Sequence, residues 1–286
     1  MKSAIQSGYR LIDTAYMYKN EKDVGDAINE EISAGKIKRS EICVVSKLWN
    51  IFHDPQHVEM TCRKSLENLG MAYIDIYLMH FPIGYEYSES EDLIPKDSAG
   101  NLKFSDVDYL CTWKAMENLV TLGLVKNIGV SNFNSEQMER LLNNSKIKPV
   151  VLQVECSPRI NQKNLIKFCK DREIYVQAYS PMGRPHYYEK NNNLPKPALL
   201  DEGVQKIGEK YNKSAGQIVL KYLVSSDAIP IPKSGNAERI KQNIEIFDFQ
   251  LTSTELDYMD KLNSGERTVP CEAMKSHKYF PFNIPF

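Results

Sequence analysis

Short apolar runs of strand length recur along the chain, separated by amphipathic, charge-rich stretches of helical length. The runs are Arg10–Asp13, Ile42–Lys47, Ile74–His80, Val125–Val130, Val150–Glu155, Tyr175–Tyr179 and Ile229–Pro232. They are apolar without strict alternation, as strands buried on both faces are. The spacing predicts helices over Asn20–Ala34, Pro55–Gly70, Asp108–Leu122, Ser135–Asn143, Gln162–Arg172, Pro197–Tyr211, Ser214–Ser225 and Ala237–Phe247. Ser135 ahead of Gln137, and Asn236 ahead of Ala237, read as helix starts. Strand and helix alternate throughout, which predicts a parallel sheet with crossover helices. No linker divides the chain, so residues 1–286 read as one domain. Two long polar connections, Gly84–Val107 and Gly183–Lys196, interrupt the alternation, and an aromatic tail from about 264 to 286 ends it. Long loops in a compact domain are usually functional.

Composition narrows the classes of function. Lys and Arg number 36 against 37 Asp and Glu, for a net charge of −1. That balance argues against a nucleic-acid partner or a general attraction to acidic membranes. Cys43, Cys62, Cys111, Cys156, Cys169 and Cys271 form no CxxC pair, which fits reduced thiols in the cytoplasm and no metal site. No apolar run approaches the roughly 18–20 residues of a membrane span.

The candidate chemistry collects at the ends of the runs: Asp13, Lys47, His80, Ser131 with Asn132, Gln153 with Glu155, Tyr179 with Ser180, and Lys233 with Ser234. The C-terminal ends of strands are where a βα barrel builds its active site. A lysine and an acid at buried strand ends favour pairing, because an unpaired charge there is expensive. A tyrosine beside such a lysine has its phenolate form stabilised and can exchange a proton near neutral pH. Tyr18, five residues past Asp13, is placed for that role, and His80 could orient a carbonyl oxygen. Near Lys233, the predicted helix start at Asn236 and the cation Arg239 make a phosphate site. No GxGxxG is present, which argues against a Rossmann-type nucleotide site.

Three segments carry a family resemblance: Gly8–Ala15 followed by Tyr18 and Glu21, Gly123–Phe133, and Ile231–Ser234 followed by Arg239 and Asn243. In this order they resemble the aldo-keto reductase superfamily, and the likeness runs to about Pro270. The resemblance implies a (β/α)8 TIM barrel. It implies an NADPH-dependent oxidoreductase that reduces aldehydes or ketones to alcohols. Tyr18 would be the general acid, Lys47 would favour its ionised form, Asp13 would pair with Lys47, and His80 would position the carbonyl. Ser131, Asn132 and Gln153 would bind the nicotinamide carboxamide, and Tyr179 would stack on the ring. Ser180 and Met182 would lie in the loop over the pyrophosphate, where Arg184 replaces the small residue of many relatives. Lys233, Ser234, Asn236 and Arg239 would hold the 2′-phosphate, with Gln242 and Asn243 at the adenine. Met17, Trp49 and Phe81 would wall the substrate cleft. The 84–107 loop resembles that of insect members, which suggests hydrophobic carbonyls such as ecdysteroid ketones.

Against that pattern, the family's N-terminal hairpin and first strand are missing ahead of Gly8. The expectation is therefore a barrel incomplete at its N-terminus, a monomer with exposed edges through which copies could associate. An alternative is a nucleotide-binding relative of impaired activity with a structural or regulatory role.

Overall fold

The computed structural model describes residues 1–286 except Ser90, Glu91, Asn192 and Pro285. The described residues form two compact units, the first built from Met1–Ile5, Tyr9–Leu152 and Cys271–Ile284 and the second from Gln6–Gly8, Gln153–Pro270 and Phe286.

In the first unit the strands are β1 (Leu11–Asp13), β2 (Cys43–Leu48), β3 (Ile74–Met79) and β4 (Val125–Ser131). They pair in parallel, β1 with β2, β2 with β3, and β3 with β4. Every residue of β2 but Cys43 is buried. Such burial is why the run reads apolar without alternation. The helices named here are α1 (Lys2–Gln6), α2 (Glu21–Ser33), α3 (Pro55–Leu69), α4 (Tyr109–Thr121) and α5 (Ser135–Asn144). The Asp54 side chain accepts from the Gln56 amide to cap α3, Pro55 takes its first position, and Gly70 ends it at φ 61°. Asn134, one residue before the expected Ser135, caps α5 and exchanges bonds with Gln137. At Gly129 a Cβ would lie 2.6 Å from the Val151 carbonyl oxygen, so β4 requires glycine there.

The boundary between the units falls inside β5 (Val151–Glu155). The second unit holds β6 (Tyr175–Tyr179) paired in parallel with β7 (Ala228–Pro230). Its helices are α6 (Lys163–Lys170), α7 (Pro185–Lys190), α8 (Glu202–Tyr211), α9 (Ala215–Ser225), α10 (Ala237–Ile244) and α11 (Ser253–Asp260). The expected 197–211 helix is split by Asp201, which caps α8 after a single turn at Ala198–Leu200. The connection read as a loop over 183–196 contains α7.

The strand order is β1-β2-β3-β4-β5-β6-β7. Among the described residues the fold is thus an α/β parallel sheet of seven strands rather than a closed eight-stranded barrel, matching the expectation of an incomplete one.

Candidate active site

Strand register assembles the first four site residues within the first unit. Asp13 ends β1 opposite Val45, and Lys47 lies two residues further along β2 on the same face as Val45. Lys47 is fully buried, and its Nζ donates to Asp13 Oδ1 at 2.6 Å and to the Thr14 carbonyl at 2.9 Å. Its third direction points to the Tyr18 hydroxyl, 3.4 Å away. Burial alone would lower the Lys47 pKa. The Asp13 carboxylate, then the Tyr18 hydroxyl, outweigh burial and raise it, so the ammonium persists.

Tyr18 stands at the end of the turn Tyr16–Tyr18, which Lys19 closes at φ 54°. Tyr18 is 48% exposed, so its hydroxyl is open on one side and faces an ammonium on the other. The turn runs into α2, whose first residue, Glu21, is buried and accepts from Ser46 at 2.6 Å and from Asn68 at 3.0 Å. Ser46 precedes Lys47 on β2. This clamp ties the segment carrying Tyr18 to the strand carrying Lys47. Glu21 belongs to the N-terminal motif, but nothing in the sequence revealed its partners.

His80 follows β3, and its N–H donates to the Leu48 carbonyl at 3.1 Å. Burial, then the charges of Lys47 and His53, push its pKa well below the usual histidine range, so the imidazole is neutral. The Tyr18 ring stands edge-on to it at 5.7 Å, the Trp49 ring edge-on at 5.0 Å, and Phe81 stacks at 5.8 Å. Trp49 and Phe81 thus flank the imidazole. Trp49 also anchors the long loop, donating its indole N–H to the Leu93 carbonyl at 2.6 Å. Met17 is half-buried beside Tyr18 in the same turn.

Ser131 ends β4, and Asn132 follows at φ 61°. Both are buried, and the Asn132 amide donates to the His80 carbonyl at 2.9 Å and to Ser131 Oγ at 3.1 Å. Asn132 therefore fixes the backbone of His80, a contact the sequence did not show.

The remaining expected cofactor residues lie in the second unit. Gln153 is buried on β5 and donates to Gln177 Oε1 at 2.8 Å. Tyr179, half-buried, ends β6 and accepts at its carbonyl from the Cys156 N–H. Ser180, at φ 50°, opens a tight turn that the Gly183 N–H closes onto the Ser180 carbonyl, with Met182 inside it. Arg184 caps this turn and donates to the Thr268 carbonyl at 3.0 Å, with its guanidinium 3.9 Å from the Tyr187 ring. Thr268 is also held by Glu155, which accepts from its amide at 2.7 Å, from its hydroxyl, and from the Val269 amide at 3.1 Å. Glu155 thus clasps the segment leading to the tail.

Lys233 and Arg239 are exposed, and no ion pair is recorded for either among the described residues. Between them Ser234 Oγ accepts from the Asn236 N–H at 3.1 Å, and Asn236 Oδ1 accepts from the Arg239 N–H at 2.9 Å to cap α10. Gln242 and Asn243 follow on α10, half-buried. Uncommitted cations around a capped helix start suit a phosphate group. These residues fit the phosphate end of NADPH.

Comparison with known proteins identifies the family. Residues 1–264 match the aldo/keto reductase family. Aldo-keto reductase family 1 member A1 of Gallus gallus is 42% identical, covering 100% of this chain and 90% of that protein. Estradiol 17 beta-dehydrogenase 5 of Mus musculus is 41% identical, covering 98% and 87%. Among solved structures, a Bombyx mori aldo-keto reductase in complex with NADP is 40% identical, with a TM-score of 0.89 and coverage of 98% and 87%. The aldose reductase from Schistosoma japonicum is 35% identical, with a TM-score of 0.92 and coverage of 100% and 90%. The chain belongs to the aldo-keto reductase family. It is an NADPH-dependent oxidoreductase acting on small carbonyl compounds.

Among the described residues no helix is long and apolar enough to cross a membrane.

Proposed function

We propose that this reductase protonates the carbonyl oxygen from Tyr18, with Lys47, Asp13 and His80 in support. The observation that carries the reading is the buried Lys47 ammonium, held by Asp13 and the Thr14 carbonyl, facing the exposed Tyr18 hydroxyl. When bound, NADPH would supply a hydride to the carbonyl carbon. Tyr18 gives its proton to the oxygen, which gains negative charge as the carbonyl π bond opens. The Lys47 ammonium stabilises the phenolate left behind, and Asp13 keeps that buried cation compensated. His80, neutral, donates an N–H to the carbonyl oxygen and fixes its direction. Ser131, Asn132, Gln153 and Tyr179 are assigned to the nicotinamide end, and Ser180 and Met182 to the loop over the pyrophosphate. Lys233, Ser234, Asn236 and Arg239 are assigned to the 2′-phosphate, with Gln242 and Asn243 at the adenine.

The aromatic pair Trp49 and Phe81 around His80, with Met17, supports hydrophobic carbonyls as substrates, including ecdysteroid-type ketones. The family match runs through both compact units, which supports reading residues 1–286 as one domain. Six free cysteines support a reducing compartment, the cytoplasm, and a monomer is the simplest assembly.

NADPH consumption with an aromatic aldehyde and with a hydrophobic ketone tests the reading. The expected result is turnover that falls by two or more orders of magnitude in Tyr18→Phe, while NADPH still quenches the protein's tryptophan fluorescence. Undiminished turnover in Tyr18→Phe would overturn it. Quenching without turnover in the unmodified chain would favour a nucleotide-binding protein that is not an enzyme.

A further inference from the structure

Behind His80 lies a knot of buried polar side chains that the proposed chemistry does not use. Among the described residues, neither ring nitrogen of the fully buried His53 nor Nδ1 of the buried His80 has a hydrogen-bond partner. Asn50 is fully buried as well, and its amide makes no well-formed hydrogen bond there, with only the Tyr85 hydroxyl set against it. All three residues belong to the first unit.

The backbone explains why these groups meet. Asn50 opens the turn Asn50–Phe52 just after β2, and His53 follows it. His80 leaves the neighbouring strand β3, and its chain continues to Tyr85, whose N–H donates to the Asn50 carbonyl at 2.8 Å. A Cβ at Gly84 would sit 3.2 Å from the His53 Cβ, so the segment from His80 to Tyr85 runs against His53. The Asn50 side chain lies against the Tyr85 hydroxyl, and His53 lies close enough to His80 for a proton on one to disfavour a proton on the other. Trp49, next to Asn50, packs its ring 5.0 Å from the His80 ring.

Leaving a buried donor or acceptor unpaired forfeits its hydration with no return. Folded proteins relieve such sites with internal water that makes about three hydrogen bonds to otherwise unsatisfied groups. The inventory here suits that solution. Asn50 offers a donor and an acceptor, and each neutral imidazole offers one of each. Both imidazoles are neutral, since burial, then His277, pushes His53 down to about 3 and His80 lies well below its usual range. A water that accepts from the Asn50 amide can donate to His80 Nδ1.

The consequence concerns the tautomer of His80. A neutral imidazole carries one proton, and its place is set by the partner of the other nitrogen. If Nδ1 accepts a hydrogen bond, the proton sits on Nε2. With the proton on Nδ1 instead, Nε2 would present a lone pair to the carbonyl oxygen and repel it. We propose that Asn50 and His53 are positioning residues, which direct hydrogen-bond donors through internal water to Nδ1 of His80 and hold it as the Nε2–H tautomer. This rests on the reading of His80 as the donor to the carbonyl.

The test reads the tautomer directly, in the full chain and without cofactor. Protein labelled with 15N-histidine is examined by NMR at pH 7, with His80→Gln identifying the His80 signals. The expected spectrum shows Nδ1 unprotonated and Nε2 protonated. Asn50→Leu removes both the amide donor and the room for water, and should shift His80 toward the Nδ1–H form. Asn50→Ser keeps a small polar group and should retain the original form. In turnover, Asn50→Leu should lower kcat on the order of tenfold with KM for NADPH unchanged. An Nδ1–H or mixed signal in the unmodified chain overturns the proposal without any variant. So does an Asn50→Leu variant whose tautomer and kcat are both unchanged. Failure of the proposed function shows separately, as turnover that survives Tyr18→Phe.

Discussion

Replacing Asp13 with asparagine isolates what the carboxylate does for the buried lysine. The substitution keeps the size of the side chain and an oxygen that can accept from Lys47 Nζ, but it removes the charge. Lys47 has no solvent exposure, so its ammonium would keep two neutral acceptors and lose its anion. Breaking a buried ion pair from one side costs about 3–5 kcal/mol. An independent ceiling comes from letting Lys47 give up its proton instead. From an unfolded value of about 10.4, neutralising it at pH 7 costs about 3.4 units at 1.36 kcal/mol each, or roughly 4.6 kcal/mol. The two routes agree. For a chain of 286 residues the unfolding entropy is about 0.6 kcal/mol/K, so the melting temperature should fall by about 5–8 °C.

The pH dependence supplies a second readout. In the unmodified chain the folded Lys47 pKa is raised, so its contribution is complete below the unfolded value near 10.4 and is lost only as pH climbs through the higher folded value. A melt series from pH 6 to 9 should therefore show no Lys47-linked slope. In Asp13→Asn the folded value drops below the unfolded one, the unfolded chain binds more protons, and stability should rise with pH over the same range. In the double variant with Lys47→Met, the loss should be smaller than the sum of the two single losses by more than about 1 kcal/mol. A melting temperature within about 2 °C of the unmodified chain at pH 7, or strictly additive losses, would refute the account of Lys47 as a cation that Asp13 compensates.

Two further outcomes follow from the same geometry. Burial, then His277, depresses His53 to about 3, so its share of stability is present above about 6.5 and is lost as pH falls toward 3. At pH 5 that loss is about 2 kcal/mol, and urea melts at pH 7 and pH 5 should show the difference shrinking by that amount in His53→Gln. An unchanged difference would remove His53 from the acid response. Lys233→Ala and Arg239→Ala should each weaken NADPH binding by about ten- to a hundredfold while leaving NADH binding nearly unchanged, measured by fluorescence titration. Equal losses for both nucleotides would mean that these cations do not read the 2′-phosphate.

The sequence showed the strands well because each is an apolar run with a polar residue at its exit. Every expected run falls within about two residues of a strand. The helices were legible where an apolar face was long. Helix α11 went unread although Thr252 and Glu255 spell a capping box that the structure contains. Helix α7 is short, begins with a proline and carries no buried residue, so it left no periodic signal. Within the site, Asp13, Tyr18, Lys47 and His80 could be named because a charge or an imidazole at the end of a buried strand is conspicuous. Thr14 could not, since it serves Lys47 through a backbone carbonyl that any residue possesses. Asn50 and His53 could not either. They lie in a turn of mixed composition, and only the register of β2 on β3 brings that turn against the segment after His80.

Acid–cation pairing at a strand terminus does not by itself identify a catalytic site, and the first unit shows why. At the opposite end of β3, Asp75 accepts from the Val44 N–H at 3.0 Å and pairs with Arg39 at 2.7 Å and Lys126 at 3.2 Å. Both of those cations also lie 4.0 Å from the Tyr73 ring centroid. This group has an acid, cations and a tyrosine, as the Asp13 group does, but the ratio of charges differs. Two cations and a backbone amide surround one carboxylate, so no proton need move for the group to be compensated. Such a network stabilises a strand start, the end of a βα fold that reads as structural. At the other pole one carboxylate compensates one ammonium, and the remaining direction of Lys47 is spent on a hydroxyl at 3.4 Å that solvent also reaches. That hydroxyl can change its charge without stranding either partner. The difference between the two poles is therefore stoichiometric, and the residue types alone do not reveal it.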